Sequence, residues 1–308
     1  MIYFAPIQGF TDFIYREAYA KIFGDVEAYF IPYISVKNNK ILNKYFKEII
    51  SEHNKQKRVI PQVLVKDSEE ILYLSEVLSD YGYTEINMNL GCPYPMVTNR
   101  GKGAGLLPYP EKLERLLDDY FNGSNLKLSV KLRAGLNLPE EIEKIVPVLN
   151  RFPLTEIIVH PRIAKQLYKG EIIESAYRFA YENLEHRIIF NGDIFSVADF
   201  VKRKEQYPKT TDWMLGRGVL MNPFLPSEIK GTQYTEQEKK DKLRQFHQYI
   251  LTRYSEIMDN EGNALNKMKQ FWVYFSNNFS THKKAIKKIK KTKSLGEFRS
   301  VVQEILHF

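Results

Sequence analysis

Short apolar runs, several of them nearly continuous, recur along the first three quarters of this 308-residue chain, at 2–6, 27–34, 58–65, 85–89, 127–132, 156–160, 187–191 and 213–216. A strand with one wet face alternates apolar and polar residues. Runs that are apolar on both faces belong to parallel strands covered on both sides. Amphipathic stretches lie between them. In 67–81, Ile71, Leu74 and Leu78 recur at helical spacing behind a capping Asp67 or Ser68, and 111–120, 140–149 and 196–204 behave likewise. Eight strand–helix alternations predict a (β/α)8 barrel, the TIM barrel, which typically takes about 250 residues. A doubly wound open sheet is the rival arrangement.

After Pro226 the strand pattern stops, and a polar segment, GTQYTEQEKKD, leads into helical spacing. Phe246, Tyr249 and Ile250 form one apolar face, Met268, Phe271, Trp272 and Phe275 another, followed by a lysine-rich stretch and by 295–306. Four helices of this kind predict a small bundle. The chain thus divides into a barrel domain, 1–230, and a basic helical domain, 235–308.

Charge sharpens this division. The net charge is +8, yet residues 235–308 hold 15 Lys and Arg against 8 Asp and Glu, so +7 of it belongs to the last quarter. Within that quarter, 281–293 (THKKAIKKIKKTK) has seven lysines and no acid. Such a patch gains from releasing counterions off a phosphate backbone, although a solvated lysine face explains the run equally well. No run approaches the roughly 18 apolar residues of a membrane span, and the N-terminus lacks a signal-peptide pattern, so a soluble cytoplasmic protein, unattached to membrane and monomeric, is expected. One cysteine makes no internal disulfide, and the six histidines are too scattered for a metal cluster.

Barrel enzymes carry their chemistry at the carboxyl ends of the strands. Here those ends hold Pro6-Ile7-Gln8-Gly9, Gln62 within the third run, Asn89-Leu90-Gly91-Cys92-Pro93, Lys131 and Arg133, His160 and Arg162, Asn191-Gly192-Asp193, and Gly216-Arg217-Gly218. Glycines after the seventh and eighth runs suit a phosphate site, because bare N–H groups approach the oxygens while arginine adds charge. The loop Gly101-Lys102-Gly103-Ala104-Gly105 lacks the Ser or Thr after lysine that a nucleotide-binding P-loop needs.

The segments APIQGFTD, NMNLGCP followed by GKGAGLL, VKLRAG, VHPRIAKQLYKG, NGDI and GRGVLMNPFL, in this order, resemble the tRNA-dihydrouridine synthases, FMN-bearing barrels with a helical C-terminal domain. Ile7 stands where that family usually has Met, and HPRIAKQ replaces a His-Gly-Arg-Thr opening. The resemblance implies reduction of the C5–C6 double bond of uridine in tRNA, with FMN as cofactor and NADPH or NADH as reductant. It implies Cys92 as the acid and Asn89 as a hydrogen-bonding partner of the uracil, with Lys131 beside the pyrimidine end of the flavin. Pro6, Ile7, Gln8 and Gln62 would meet the isoalloxazine. His160, Asn191, Gly192 and Asp193, then Gly216 and Arg217, would meet its ribityl and phosphate. Arg133 and Arg162 would meet substrate, with Lys287, Lys288, Lys290 and Lys291 on the RNA backbone. An FMN barrel acting on a small pyrimidine and a non-catalytic RNA-binding barrel remain as alternatives.

Overall fold

A computed structural model describes residues 1–38, 40–54, 58–279 and 282–306. Eight parallel strands form a closed ring: β1 (Ile2–Phe4), β2 (Ala28–Ile34), β3 (Val59–Val63), β4 (Glu85–Leu90), β5 (Lys127–Gly135), β6 (Ile157–Ile163), β7 (Ile188–Phe190) and β8 (Asp212–Leu215). β8 pairs back onto β1, which excludes the open sheet. Outside the ring lie α1 (Phe13–Ile22), α2 (Ser68–Asp80), α3 (Pro110–Gly123), α4 (Glu141–Leu149), α5 (Glu174–Asn183) and α6 (Val197–Gln206). A short ribbon of Val36–Lys37 against Lys40–Ile41 is an element that the apolar pattern does not announce.

The barrel interior is apolar at one level and polar above it. Tyr3, Ala28, Phe30, Ile60, Ile158, Ile189 and Met214 fill the centre. Above them runs a buried chain of amides: Asn89 Nδ2 donates to Gln62 Oε1 (2.7 Å), Gln62 Nε2 to Asn87 Oδ1 (2.8 Å), and Asn87 Nδ2 to Ser129 Oγ (2.9 Å). Buried amides left unpaired would each cost about 1–3 kcal/mol, so this closed chain fixes the orientation of Asn89.

Two register shifts re-aim side chains at the rim. Ile31 pairs Pro61 and Ile34 pairs Val63, so β2 carries one extra residue around Pro32-Tyr33. Arg133 pairs His160 and Gly135 pairs Ile163, so β6 carries one around Pro161-Arg162. A proline donates no N–H to the ladder and is tolerated at such bulges.

Four helices follow the barrel: α7 (Glu236–Ile257), α8 (Glu261–Phe275), α9 (His282–Lys291) and α10 (Leu295–Leu306). Thr235 and Glu238 form a capping box that starts α7. Phe246 of α7 meets Tyr15 and Tyr19 of α1, Phe23 at that helix's end, and Phe271 and Phe275 of α8, with ring centroids 5.2–6.4 Å apart. Trp272 is fully buried, and Tyr249 Oη donates to Glu17 (2.7 Å), so both anchor the helices.

His247 lies inside this packing with no hydrogen-bond partner for Nε2 among the described residues, and burial lowers its pKa to about 3. The unfolded chain takes a proton there below the ordinary histidine pKa of about 6.5, whereas the folded chain does not. Stability from this site is therefore complete above that pH and drains away as pH falls towards 3, by up to ~1.4 kcal/mol per unit. Urea unfolding of His247→Phe between pH 7 and 4 should show a flatter decline than the parent. Equal slopes in the two proteins would exclude His247 as the source.

Candidate active site

The loops at the carboxyl ends of the strands enclose a cavity of about 360 Å³, within the roughly 300–1,000 Å³ of ligand pockets. Of the residues singled out in the sequence, Pro6, Ile7, Gln8, Gln62, Asn89, Cys92, Lys131, Arg133, His160, Asn191, Gly192, Asp193, Gly216 and Arg217 all line it. The thiol and the glycines after β7 and β8 therefore share one space. A wider groove of about 1,030 Å³ lies between α1, α7 and α10. Its lining has Lys21, Arg244 and Arg299 but no thiol, carboxylate or glycine loop, so among the described residues the reactive groups converge at the barrel mouth.

Asn89 shapes the turn that presents Cys92. Its Oδ1 accepts the N–H groups of Gly91 (2.9 Å) and Cys92 (2.8 Å), while its Nδ2 is anchored on Gln62. The next loop packs against the backbone and Cβ of Cys92: Gly103 has φ +58°, and a Cβ there would lie 2.9 Å from both Cβ and the carbonyl oxygen of Cys92, so only glycine fits. Burial raises the Cys92 pKa, against a backbone N–H from Tyr94, the charge of Arg133 and the Tyr33 hydroxyl. The thiol is thus neutral at neutral pH and has a proton to give.

Cations gather around it. Lys131 has no carboxylate partner among the described residues, and burial, with Arg133 nearby, lowers its ammonium to about 7. Arg133 donates from Nε to the Gly91 carbonyl (2.9 Å) and from an Nη to the Ile163 carbonyl (3.0 Å). Arg217 bonds Asp193 (2.8 Å) and, like Arg133, lies over the Tyr168 ring. Among the described residues, Asp193 is the only carboxylate in the lining, against Lys131, Arg133 and Arg217. Such a cavity favours an anion, and an anionic ligand would raise the Lys131 pKa again.

His160 is held as neutral imidazole, its pKa well below the ordinary value through burial and then Arg133, Lys131 and Arg162. Arginine only donates, so His160 Nε2 accepts from Arg162 (3.4 Å), leaving the proton on Nδ1, which faces Asn191 Oδ1 (3.4 Å). Arg162 itself is 1% exposed and absent from the lining. The bulge at Pro161-Arg162 turns it behind the wall, where it binds Asp193 and the Gly170 carbonyl (2.6 Å). Arg162, expected to meet substrate, stands here as a support of Asp193. Lys287, Lys288, Lys290 and Lys291 lie outside the cavity on exposed positions of α9; Thr281, where the lysine run opens, lies outside the described residues.

The lining also holds residues that the sequence reading passed over: Phe10, Tyr33, Tyr94, Tyr168, Phe195 and Tyr274. Tyr274 comes from α8, with its ring 4.9 Å from Phe10. The same helix grips the β1 loop, since Lys267 donates to the Gly9 carbonyl (2.6 Å) and pairs with Asp12 (2.9 Å), which also accepts from Tyr254 of α7 (2.9 Å).

A parallel eight-stranded barrel with one thiol and an anion-attracting set of cations at its strand ends defines a TIM-barrel ligand-binding protein of the kind that carries chemistry at that face. The chain belongs to the dihydrouridine synthase family, whose model matches residues 3–306. It is 25% identical over 320 residues to the tRNA-dihydrouridine(16) synthase of Neisseria meningitidis serogroup B, covering 98% of this chain and 94% of that one. With tRNA-dihydrouridine synthase B of Pasteurella multocida it shares 27% over 165 residues, 53% of this chain and 49% of that protein. The match thus spans about half of the Pasteurella protein, and 24% of the tRNA-dihydrouridine(47) synthase [NAD(P)(+)]-like protein of Arabidopsis thaliana. In fold it is similar to the old yellow enzyme homologue of Zymomonas mobilis, with a TM-score of 0.55 at 8% identity, over 77% of this chain and 91% of that one.

Proposed function

We propose that this chain is a tRNA-dihydrouridine synthase that reduces the C5–C6 double bond of uridine in tRNA, using FMN reloaded by NADPH or NADH. The observation that carries this reading is the neutral thiol of the chain's one cysteine, facing the same cavity as Lys131, which has no carboxylate partner among the described residues. The cation set fits an anionic flavin: Lys131 would sit beside its pyrimidine end, Gln8, Gln62 and the backbone of Pro6 and Ile7 along its ring, His160 and Asn191 to Asp193 along the ribityl chain, and Gly216 with Arg217 at the phosphate. When bound and reduced, that group supplies a hydride to carbon 6 of the pyrimidine.

Cys92 gives its proton to carbon 5. A neutral, buried thiol suits this role better than a thiolate, and Arg133 stabilises the charge left on sulfur. Asn89 holds the loop carrying the thiol and keeps one Nδ2 hydrogen for the uracil edge. The base must be turned out of its stack to reach the cavity, which costs a few kcal/mol. Lysines of the helical domain, 235–308, offset this by gripping phosphates.

Lys287, Lys290 and Lys291 are exposed, whereas Lys288 already pairs with Glu304, so the first three should carry most of the effect. Replacing them with glutamine should weaken tRNA binding and flatten log Kd against log salt, by up to about 0.9 for each phosphate no longer neutralised, while FMN content stays constant. A salt slope equal to the parent's would take α9 out of the RNA interface. The reading as a whole is tested by incubating pre-reduced protein with unmodified tRNA and with free uridine and digesting the products for mass analysis. Dihydrouridine in the tRNA alone is expected. Reduction of free uridine at the same rate, or of neither, would reject the assignment.

A further inference from the structure

Each proton that Cys92 gives to substrate must be replaced, yet the thiol is only 6% exposed and a bound base would seal it further. Among its neighbours is a phenol. Tyr33 is half-buried, lines the cavity beside Cys92, and packs against the cluster of Leu64, Cys92 and Val97. Its placement is a product of the β2 bulge. Tyr29 and Ile31 face outward into the helix layer and Phe30 faces the barrel centre, so strict alternation would send position 33 outward as well. The extra residue at Pro32-Tyr33 sends Ile34 outward instead and leaves Tyr33 at the rim.

We propose that Tyr33 positions and re-protonates Cys92: its phenol donates a hydrogen bond to the sulfur and relays a proton from solvent after each turnover. The proposal rests on the reading of Cys92 as the acid. The S–H bond breaks as the new C–H bond forms at carbon 5, while the hydride from the reduced flavin completes the reduction. The thiolate then takes the Tyr33 proton, and the phenolate oxygen takes one from water, so each turnover consumes one solvent proton. The Tyr33 ring packs against Cys92 in the cavity wall, and burial pushes its pKa up to about 12, so the phenol stays protonated at every pH at which the thiol cycles. Arg133 of β5, Tyr168 of the loop after β6 and Tyr94 of the thiol's own loop also face Cys92, and Tyr45 and Tyr94 face the phenol. Of these, Arg133 bears a fixed charge but no transferable proton.

Because Cys92 is the chain's one cysteine, its alkylation by iodoacetamide reads a single thiol in the flavin-loaded protein, without tRNA or turnover. Tyr33→Phe keeps the ring and removes the hydroxyl. Losing a hydrogen bond to the thiolate should slow alkylation about tenfold at pH values below the midpoint and move the profile to higher pH. With pre-reduced Tyr33→Phe, the first turnover on tRNA should slow several-fold, because the sulfur loses a hydrogen-bond donor as charge develops on it, and later turnovers with NADPH supplied should slow about tenfold. Melting temperature and flavin content serve as checks that the variant is folded. An alkylation profile superimposable on the parent's overturns the proposal, and so does a shifted profile with unslowed later turnovers. Failure of the parent to make dihydrouridine would strike the functional reading and leave the alkylation result standing.

Discussion

Cys92→Ala is expected to lower dihydrouridine formation by at least about a hundredfold, since a positioned general acid contributes roughly 10²–10⁴ to rate. The loss should fall on the chemical step: single-turnover reduction of tRNA by pre-reduced protein slows, whereas tRNA affinity and flavin content hold. The sulfur sits in a small cluster with Leu64 and Val97, so trimming it to a methyl group disturbs little packing. Cys92→Ser should recover little of the rate, because a serine hydroxyl is a far weaker acid than a thiol. A single-turnover rate within a few-fold of the parent would mean that the proton comes from elsewhere.

Phe246→Ala should be the most destabilising single change outside the site. The ring is 1% exposed and touches five other aromatic rings, three from α1 and its end and two from α8. Phenylalanine-to-alanine changes in such surroundings cost about 3–5 kcal/mol, a large share of the 5–15 kcal/mol that a folded domain holds. The urea midpoint should fall accordingly. If the midpoint falls by an amount worth less than about 1 kcal/mol, the cluster does not join helices and barrel in the way its geometry implies.

All eight strands were legible because each carries a short apolar run, several of them nearly continuous, and the ends of those strands carried most of the lining. What escaped notice has two physical sources. Tyr274 and Phe10 meet across more than 260 residues of sequence, and no local pattern encodes that approach. Tyr33 and Arg162 depend on bulges, one extra residue each, which invert the alternation that a sequence reading assumes. The bulge brought a tyrosine into the cavity in one case and took an arginine out of it in the other. A proline inside a strand-like run, at Pro32, or directly after one, at Pro161, was the signal available.

The grip of α8 on the β1 loop limits how the protein can be dissected. Excising everything after residue 234 would remove Tyr274 from the cavity wall, strip Asp12 of Lys267 and Tyr254, and leave the Gly9 carbonyl without its lysine. A truncated barrel would thus have a damaged cavity rather than an intact one merely deprived of its basic helices, and surface charge reversal on intact protein is the cleaner way to separate the two.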